Sequence, residues 1–224
     1  MDSLEKMKQM AAGAALEFVE NNATLGLGTG STAAYFVKAL ALKVREGKLS
    51  IKCVCTSNAT EALAKKEGLE IIALNEAEKI NLSVDGADEV DGEKMLIKGY
   101  GGALTREKII EYKSEKLVII VDEGKVSKKL SKPVPVEYLP FAHSAVVQGL
   151  EKLGAKKIRQ RMLEGNNFES DNGFHIVDAD FGVIGNPSSL EQKINLIPGV
   201  LENGIFSRGA SEVIVGGKEG VRKL

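Results

Sequence analysis

The stretch TLGLGTGSTAAYFVKAL at residues 24–40 reads as a strand, a glycine turn and a helix in direct succession. That succession is the building step of a parallel sheet covered by helices. Working backwards, Leu4, Met7, Met10, Ala11, Ala14, Ala15 and Phe18 recur at helical spacing and predict a helix of about 16 residues after Ser3. Working forwards, IKCVCTS (51–57) reads as a short strand, NATEALAKKEG (58–68) as a helix and LEIIAL (69–74) as the next strand. INLSVDGADEVD (80–91) follows as a strand and LTREKIIEYKS (104–114) as a helix. KLVIIVDEG (116–124) is a strand whose continuous apolar run suits burial on both faces. The expected fold class is α/β.

The texture changes near Leu130. SKPVPVEYLPF (131–141) holds three of the five prolines, which are expected to start or edge a strand rather than sit centrally in one. Beyond it come a helix in HSAVVQGLEKLG, a strand ending near Met162, a turn at Asp171-Asn172-Gly173, a strand in FHIVDAD, a short helix in SSLEQKINLI and a strand in VLENGIF. Residues 131–203 are therefore expected to form a small α+β domain. ASEVIVGGKEG (210–220) contains a strand too short to stand alone. It is expected to return to the first domain and complete its sheet, making that domain discontinuous over 1–130 and 204–224.

The chain has 224 residues, 43% hydrophobic and 27% charged, with 30 basic and 31 acidic side chains and a net charge of -1. This composition excludes disordered and fibrous classes, and no field is present to gather nucleic acid or an anionic membrane. The opening MDSLEKMKQMAAGAALEFVEN is charged and then amphipathic rather than uninterruptedly apolar. A cytoplasmic protein with no nucleic-acid or membrane partner is expected. Cys53 and Cys55 are two apart, share a side if the segment is a strand, and read as core thiols.

Four loops could carry chemistry. Gly26-Leu27-Gly28-Thr29-Gly30-Ser31-Thr32-Ala33 opens a helix whose first-turn amides favour an anion, so Thr29, Gly30, Ser31 and Thr32 form a candidate phosphate cradle. The same residues satisfy a loose dinucleotide fingerprint, yet Thr56-Ser57-Asn58 stand where a ribose-binding acid should follow. A tight structural turn is the third reading. Asp85 and Asp88 lie at the carboxyl end of a predicted strand, where two close carboxylates can separate into proton donor and anion; a solvated acidic turn is the alternative. Lys98 precedes Gly99-Tyr100-Gly101-Gly102, whose glycines lose much backbone entropy unless the loop packs closely or presents its amides. Glu107 follows about one turn into the next helix, a position also favourable to an acid without any function. Lys125, after another predicted strand, could close on an anion or be an ordinary surface lysine. His143 and His175 lie outside these loops, so neither a zinc site nor a serine-histidine-acid triad is advertised.

Together these groups suit a small sugar phosphate. Proton abstraction beside a carbonyl needs a positioned base, here Glu107, and the enediolate needs a cation or amides, here Lys98 and its loop. Asp85 could shuttle the hydrogen between oxygens while Asp88 orients a hydroxyl. Neither a metal nor an organic cofactor is expected. The chain resembles the type A ribose-5-phosphate isomerase family through GLGTGSTA (26–33), DGADEVD (85–91), KGYGGALTREK (98–108), PVEYLPFA (135–142), SDNGFHIVD (170–178) and IPGVLENGIF (197–206). These blocks keep the family's order and span nearly the whole chain. The resemblance implies a cofactor-free enzyme interconverting ribose 5-phosphate and ribulose 5-phosphate in the non-oxidative pentose phosphate pathway. It assigns the C2–C1 proton to Glu107, oxygen acid-base work and ring opening to Asp85, and the rest of the reacting-end pocket to Asp88 and Lys98. Lys8, Ser31, Thr32 and Lys125 take phosphate and nearby recognition. A Rossmann-like domain interrupted by a smaller ferredoxin-like domain with an oligomerisation role is implied, as is a homodimer or homotetramer. Tyr100 departs from the family, which often has glycine or an aliphatic residue there. A dinucleotide oxidoreductase and a non-catalytic sugar-phosphate sensor are the competing readings; the first rests on residues 28–33 alone, and the second lacks an appended DNA-binding module.

Overall fold

The glycine turn falls where its sequence demands, between a buried strand and an amphipathic helix, and the same alternation repeats along the chain. The computed structural model describes residues 3–224, so Met1 and Asp2 of the expected first domain lie outside the described residues. In chain order the elements are α1 (Ser3–Ala15), β1 (Thr24–Leu27), α2 (Ser31–Arg45), β2 (Lys52–Cys55), α3 (Asn58–Lys66), β3 (Ile80–Asp85), β4 (Glu89–Val90) and β5 (Leu96–Ile97). Then come α4 (Leu104–Lys113), β6 (Ser114–Asp122), β7 (Val134–Tyr138), α5 (His143–Lys152), β8 (Lys157–Gln160), β9 (Met162–Leu163) and β10 (Asn166–Asn167). The chain closes with β11 (His175–Asp180), α6 (Pro187–Asn195), β12 (Val200–Asn203), β13 (Ile205–Phe206), β14 (Glu212–Gly217) and β15 (Gly220–Lys223). The fold is mixed α/β, with a Rossmann-like sheet and a smaller β-rich subdomain. Two units are distinguished: the first covers 1–87, 106–126 and 210–224, the second 88–105 and 127–209.

The first unit is built on the sheet β15-β14-β6-β3-β1-β2, parallel except for the β14–β15 hairpin. Leu25, Leu27, Val84, Val118, Ile120 and Ile214 from its strands share one core with Ala11, Ala15, Phe36, Val37 and Leu40 from α1 and α2. The alanine face of α1 lets its backbone come close: a Cβ on Gly216 would stand 2.0 Å from the Met7 carbonyl oxygen. The expected 16-residue helix is realised as the 13 residues of α1 and a 3₁₀ turn over Leu16–Phe18. The returning strand β14 completes the sheet beside β6, as expected of residues 210–220. LEIIAL does not form the expected strand; it supplies a single bridge, Cys53 to Ile71, because Ile71 and Ile72 are only half-buried and the chain turns into a 3₁₀ turn at Leu74.

The second unit carries the antiparallel sheet β12-β7-β11-β8. With α5 and α6 it runs β-α-β-β-α-β in chain order, the ferredoxin-like arrangement. Val134, Val136, Tyr138, Val177 and Ala179 pack against Val146, Leu150 and Ile194. Pro135 departs from the expectation that proline avoids a central strand, since β7 lies between β12 and β11. Its carbonyl accepts from Gly204 N at 2.7 Å, so its missing N–H faces the same side, just beyond the last β12 pair at Asn203 and Val136. The unit boundaries also differ from those expected. Residues 88–105 group with the second unit because β5 pairs with β13 on one side and with β4 on the other, and residues 204–209 stay there for the same reason.

Candidate active site

In the first unit the glycine loop and the end of β3 form one construction. Gly28 N donates to Val84 O at 3.0 Å, and Asp85 Oδ1 accepts from Thr29 N at 3.0 Å and Gly86 N at 2.6 Å. Only glycine permits this approach at 28, where a Cβ would fall 2.0 Å from Asp85 Cγ. Asp85 is 1% exposed, and two amides at one carboxylate oxygen hold its orientation. The other flank of the loop is held by hydroxyls. Thr29 Oγ1 lies 2.7 Å from Thr56 Oγ1 and 2.8 Å from Ser57 Oγ, while Thr60 Oγ1 donates to Gly28 O at 2.9 Å. Thr56 and Ser57, read from sequence only as standing where a ribose-binding acid is missing, are thus with Thr60 a buttress of the loop.

Gly30 stands before α2 at φ 110°, and no side chain caps that helix, so its first-turn amides are presented at exposed Ser31 and half-buried Thr32. A cavity of about 310 Å³ opens there, lined by Gly28, Thr29, Gly30, Ser31 and Thr60 among others. Lys8 is engaged elsewhere: its Nζ pairs with Glu5 Oε1 at 2.7 Å, and Glu5 accepts from Tyr35 OH at 2.5 Å. The Lys8 ammonium, then the Tyr35 hydroxyl, hold the Glu5 carboxyl below its ordinary range. Lys125 is half-buried in the 3₁₀ turn after β6, where Asp122 accepts from Gly124 N at 3.0 Å. Glu107 lies in the first turn of α4 and is 4% exposed.

In the second unit, Asp88 Oδ2 accepts from Tyr100 N at 2.9 Å and Asp88 N donates to Ile97 O at 2.8 Å. The Asp88 carboxylate is therefore spent in part on the glycine loop. Lys98 is 2% exposed; its amide donates to Gly204 O at 2.9 Å and its Nζ stands 5.5 Å from the Phe206 ring centroid. Gly99 and Gly102 adopt φ of 102° and 80°, joined by Gly102 N donating to Gly99 O at 3.0 Å. Tyr100 and Gly101 form the exposed tip, and the Tyr100 hydroxyl donates to Pro133 O at 3.1 Å. Burial, with Asp88 nearby, pushes the Tyr100 phenol up.

The structure brings Thr29, Gly30, Ser31 and Asp85 together in one unit, and Asp88, Lys98, Gly99, Tyr100, Gly101 and Gly102 in the other. Sequence reasoning missed Arg161, whose Nη1 donates to Gly99 O at 2.7 Å, and Glu137, which accepts from Thr105 Oγ1 at 2.5 Å. An acid inside the otherwise apolar run VPVEY was the available signal for Glu137. Burial pushes the Cys55 thiol up to about 12 and the Cys53 thiol further, so neither is a thiolate nucleophile at neutral pH. Among the described residues, no group of three or more His, Cys, Asp or Glu side chains is placed to hold a metal ion. Among them also, no helix is long and apolar enough to cross a membrane.

Comparison with known proteins shows the family. Ribose 5-phosphate isomerase A (phosphoriboisomerase A) matches residues 52–220. Ribose-5-phosphate isomerase A of Pyrococcus horikoshii is 45% identical over 226 residues, covering 99% of each chain. A solved D-ribose-5-phosphate isomerase in complex with phospho-erythronic acid superposes with a TM-score of 0.96 at 45% identity, covering 100% of this chain and 99% of that one. The ribose 5-phosphate isomerase A of Methanocaldococcus jannaschii gives 0.93 at 39% identity, covering 98% of each.

Proposed function

The chain belongs to the ribose 5-phosphate isomerase A family and interconverts ribose 5-phosphate and ribulose 5-phosphate, and from that premise we propose how its residues divide the work. Glu107 takes the C2 proton of the open-chain aldose. The C–H electron pair becomes the C1–C2 double bond and O1 takes the negative charge, which Lys98 and the amides of Gly99 to Gly102 stabilise. Asp85 moves a proton from O2 to O1, and Glu107 returns its proton to C1, giving the ketose. Asp85 also serves ring opening. Asp88 sets the loop that carries Lys98 and orients a substrate hydroxyl, and Tyr100 shapes the loop tip.

The phosphate is read onto Thr29, Gly30, Ser31 and Thr32, with Lys125 supplying charge and Lys8 joining it only by leaving its pair with Glu5. Phospho-erythronic acid, held by the similar solved protein, carries a phosphate and a carboxylate, the two charges such a site would meet. The observation that carries this reading is Asp85 held by the Thr29 and Gly86 amides against Gly28. No metal or organic cofactor enters the scheme. A cytoplasmic homodimer or homotetramer, assembled through the second unit, completes the proposal; nearly bare Phe141 (95% exposed) and Leu196 (79% exposed) on that unit support it.

The test is Glu107→Gln, which keeps volume and removes the base. The expected loss is about 10²- to 10⁴-fold in kcat with little change in affinity, and a deuterium label at C2 should stay in place. Lys125→Ala should instead raise KM. Wild-type loss of the C2 label from the glutamine variant would move the base to Asp85 or Asp88.

A further inference from the structure

We propose that the sheet of the second unit is a positioning template for residues 98–105, with Arg161 and Glu137 holding the two ends of that segment. The inference rests on the proposed role of Lys98. Gly99, Gly101 and Gly102 bring no side chains that could define the loop's path, and two of them occupy left-handed backbone conformations. Its shape must come from what surrounds it.

At the first end, Arg161 Nη1 donates to Gly99 O at 2.7 Å and to Tyr100 O at 3.4 Å. Asp178 on β11 fixes the guanidinium by accepting from Nε at 3.1 Å and from Nη2. The fork geometry leaves Nη1 aimed at the loop. Arg161 also lies 5.9 Å from the Phe168 ring centroid, and Phe168 lies against Gly102, where a Cβ would stand 2.3 Å from its Cζ. A larger residue at 102 would therefore displace the ring that backs the arginine.

At the far end, Thr105 Oγ1 donates to Glu137 Oε2 at 2.5 Å, while Oε1 accepts from Ser170 Oγ and from Asn172 Nδ2 at 3.1 Å. Glu137 is 0% exposed in the central strand β7. An apolar residue of similar volume would stabilise such a position at least as well. The carboxylate is accounted for by what it holds: the start of α4, where the glycine loop becomes helix.

The test uses the full chain carrying Arg161→Lys, which loses the planar fork, or Thr105→Val, which loses only the hydroxyl. Each is read by steady-state kinetics and by amide hydrogen exchange. Each should lower kcat by roughly 10- to 100-fold, the scale of a small displacement of catalytic groups. Exchange across 98–105 should rise on the order of tenfold while α5 and the rest of β7 keep wild-type protection. Glu137→Gln, retaining one acceptor, should recover part of the activity lost in Glu137→Leu. Wild-type exchange in 98–105, faster local exchange with wild-type kcat, or acceleration shared equally by α5 and β7 would each overturn the proposal. Lys98→Met with unchanged kcat would remove the role of Lys98 itself, an outcome separate from the exchange result.

Discussion

Gly28 shows how little space separates the glycine loop from Asp85. A methyl group there would stand 2.0 Å from Asp85 Cγ, so the carboxylate or the loop must move. Gly28→Ala should reduce kcat by about 100-fold and cost about 1–3 kcal/mol of stability, measured by turnover and urea unfolding. Unchanged kinetics would show that Asp85 has room the structure does not give it. The residue types that the proposed chemistry uses stand in loops the sequence already marks: a base, an oxygen shuttle, a cation and an anion cradle are each offered by one of them. The supports were not legible. Thr60 reaches Gly28 from 32 residues away and Arg161 reaches Gly99 from 62 away, and neither spacing leaves a local pattern in sequence.

At the level of elements, unbroken apolar runs foretold β6 and β14, whose two faces are covered, while β1 and β3 were marked by the glycine and acidic loops that follow them. The apolar pattern overstated LEIIAL, whose backbone meets β2 only around Cys53, through Glu70 O and Ile72 N, before the chain turns away at Leu74. It also misjudged Pro135, since proline's restriction concerns one missing donor and β7 turns that side past the end of its neighbour. The strand β14 carries the clearest prediction. Val213, Ile214 and Val215 are each 0% exposed, and burying three such side chains contributes roughly 5–9 kcal/mol, comparable with the whole stability of a typical domain. A chain ending at Gly209 should be recovered insoluble or without cooperative melting. Wild-type solubility and melting in that truncation would contradict the role given to β14.

For the whole molecule, the exposed apolar side chains of the second unit set the expectation. Leu139 and Phe141 follow β7, Leu201 lies on β12, and Leu139 N donates to Gly199 O at 2.9 Å, which ties the two segments together. Light scattering should find two or four protomers of 24.0 kDa, and Phe141→Asp should shift the population toward smaller particles by placing a charge where an apolar contact is proposed. An unchanged mass in that variant would move the interface elsewhere.

The place of β14 after the whole of the second unit in chain order also sets an order of events on the ribosome. Residues 88–105 and 127–209 are delivered before 212–223, so the second unit has all its strands while the first still lacks two, β14 and β15. Until then the β6 edge, with Val118, Ile119, Ile120 and Val121 destined for burial, stands open to other chains. The nested unit therefore matures ahead of its host, a reversal of the usual N-terminal-first sequence. Strands made before residue 88 must therefore wait, through the whole delivery of the second unit, for the segment that completes their sheet.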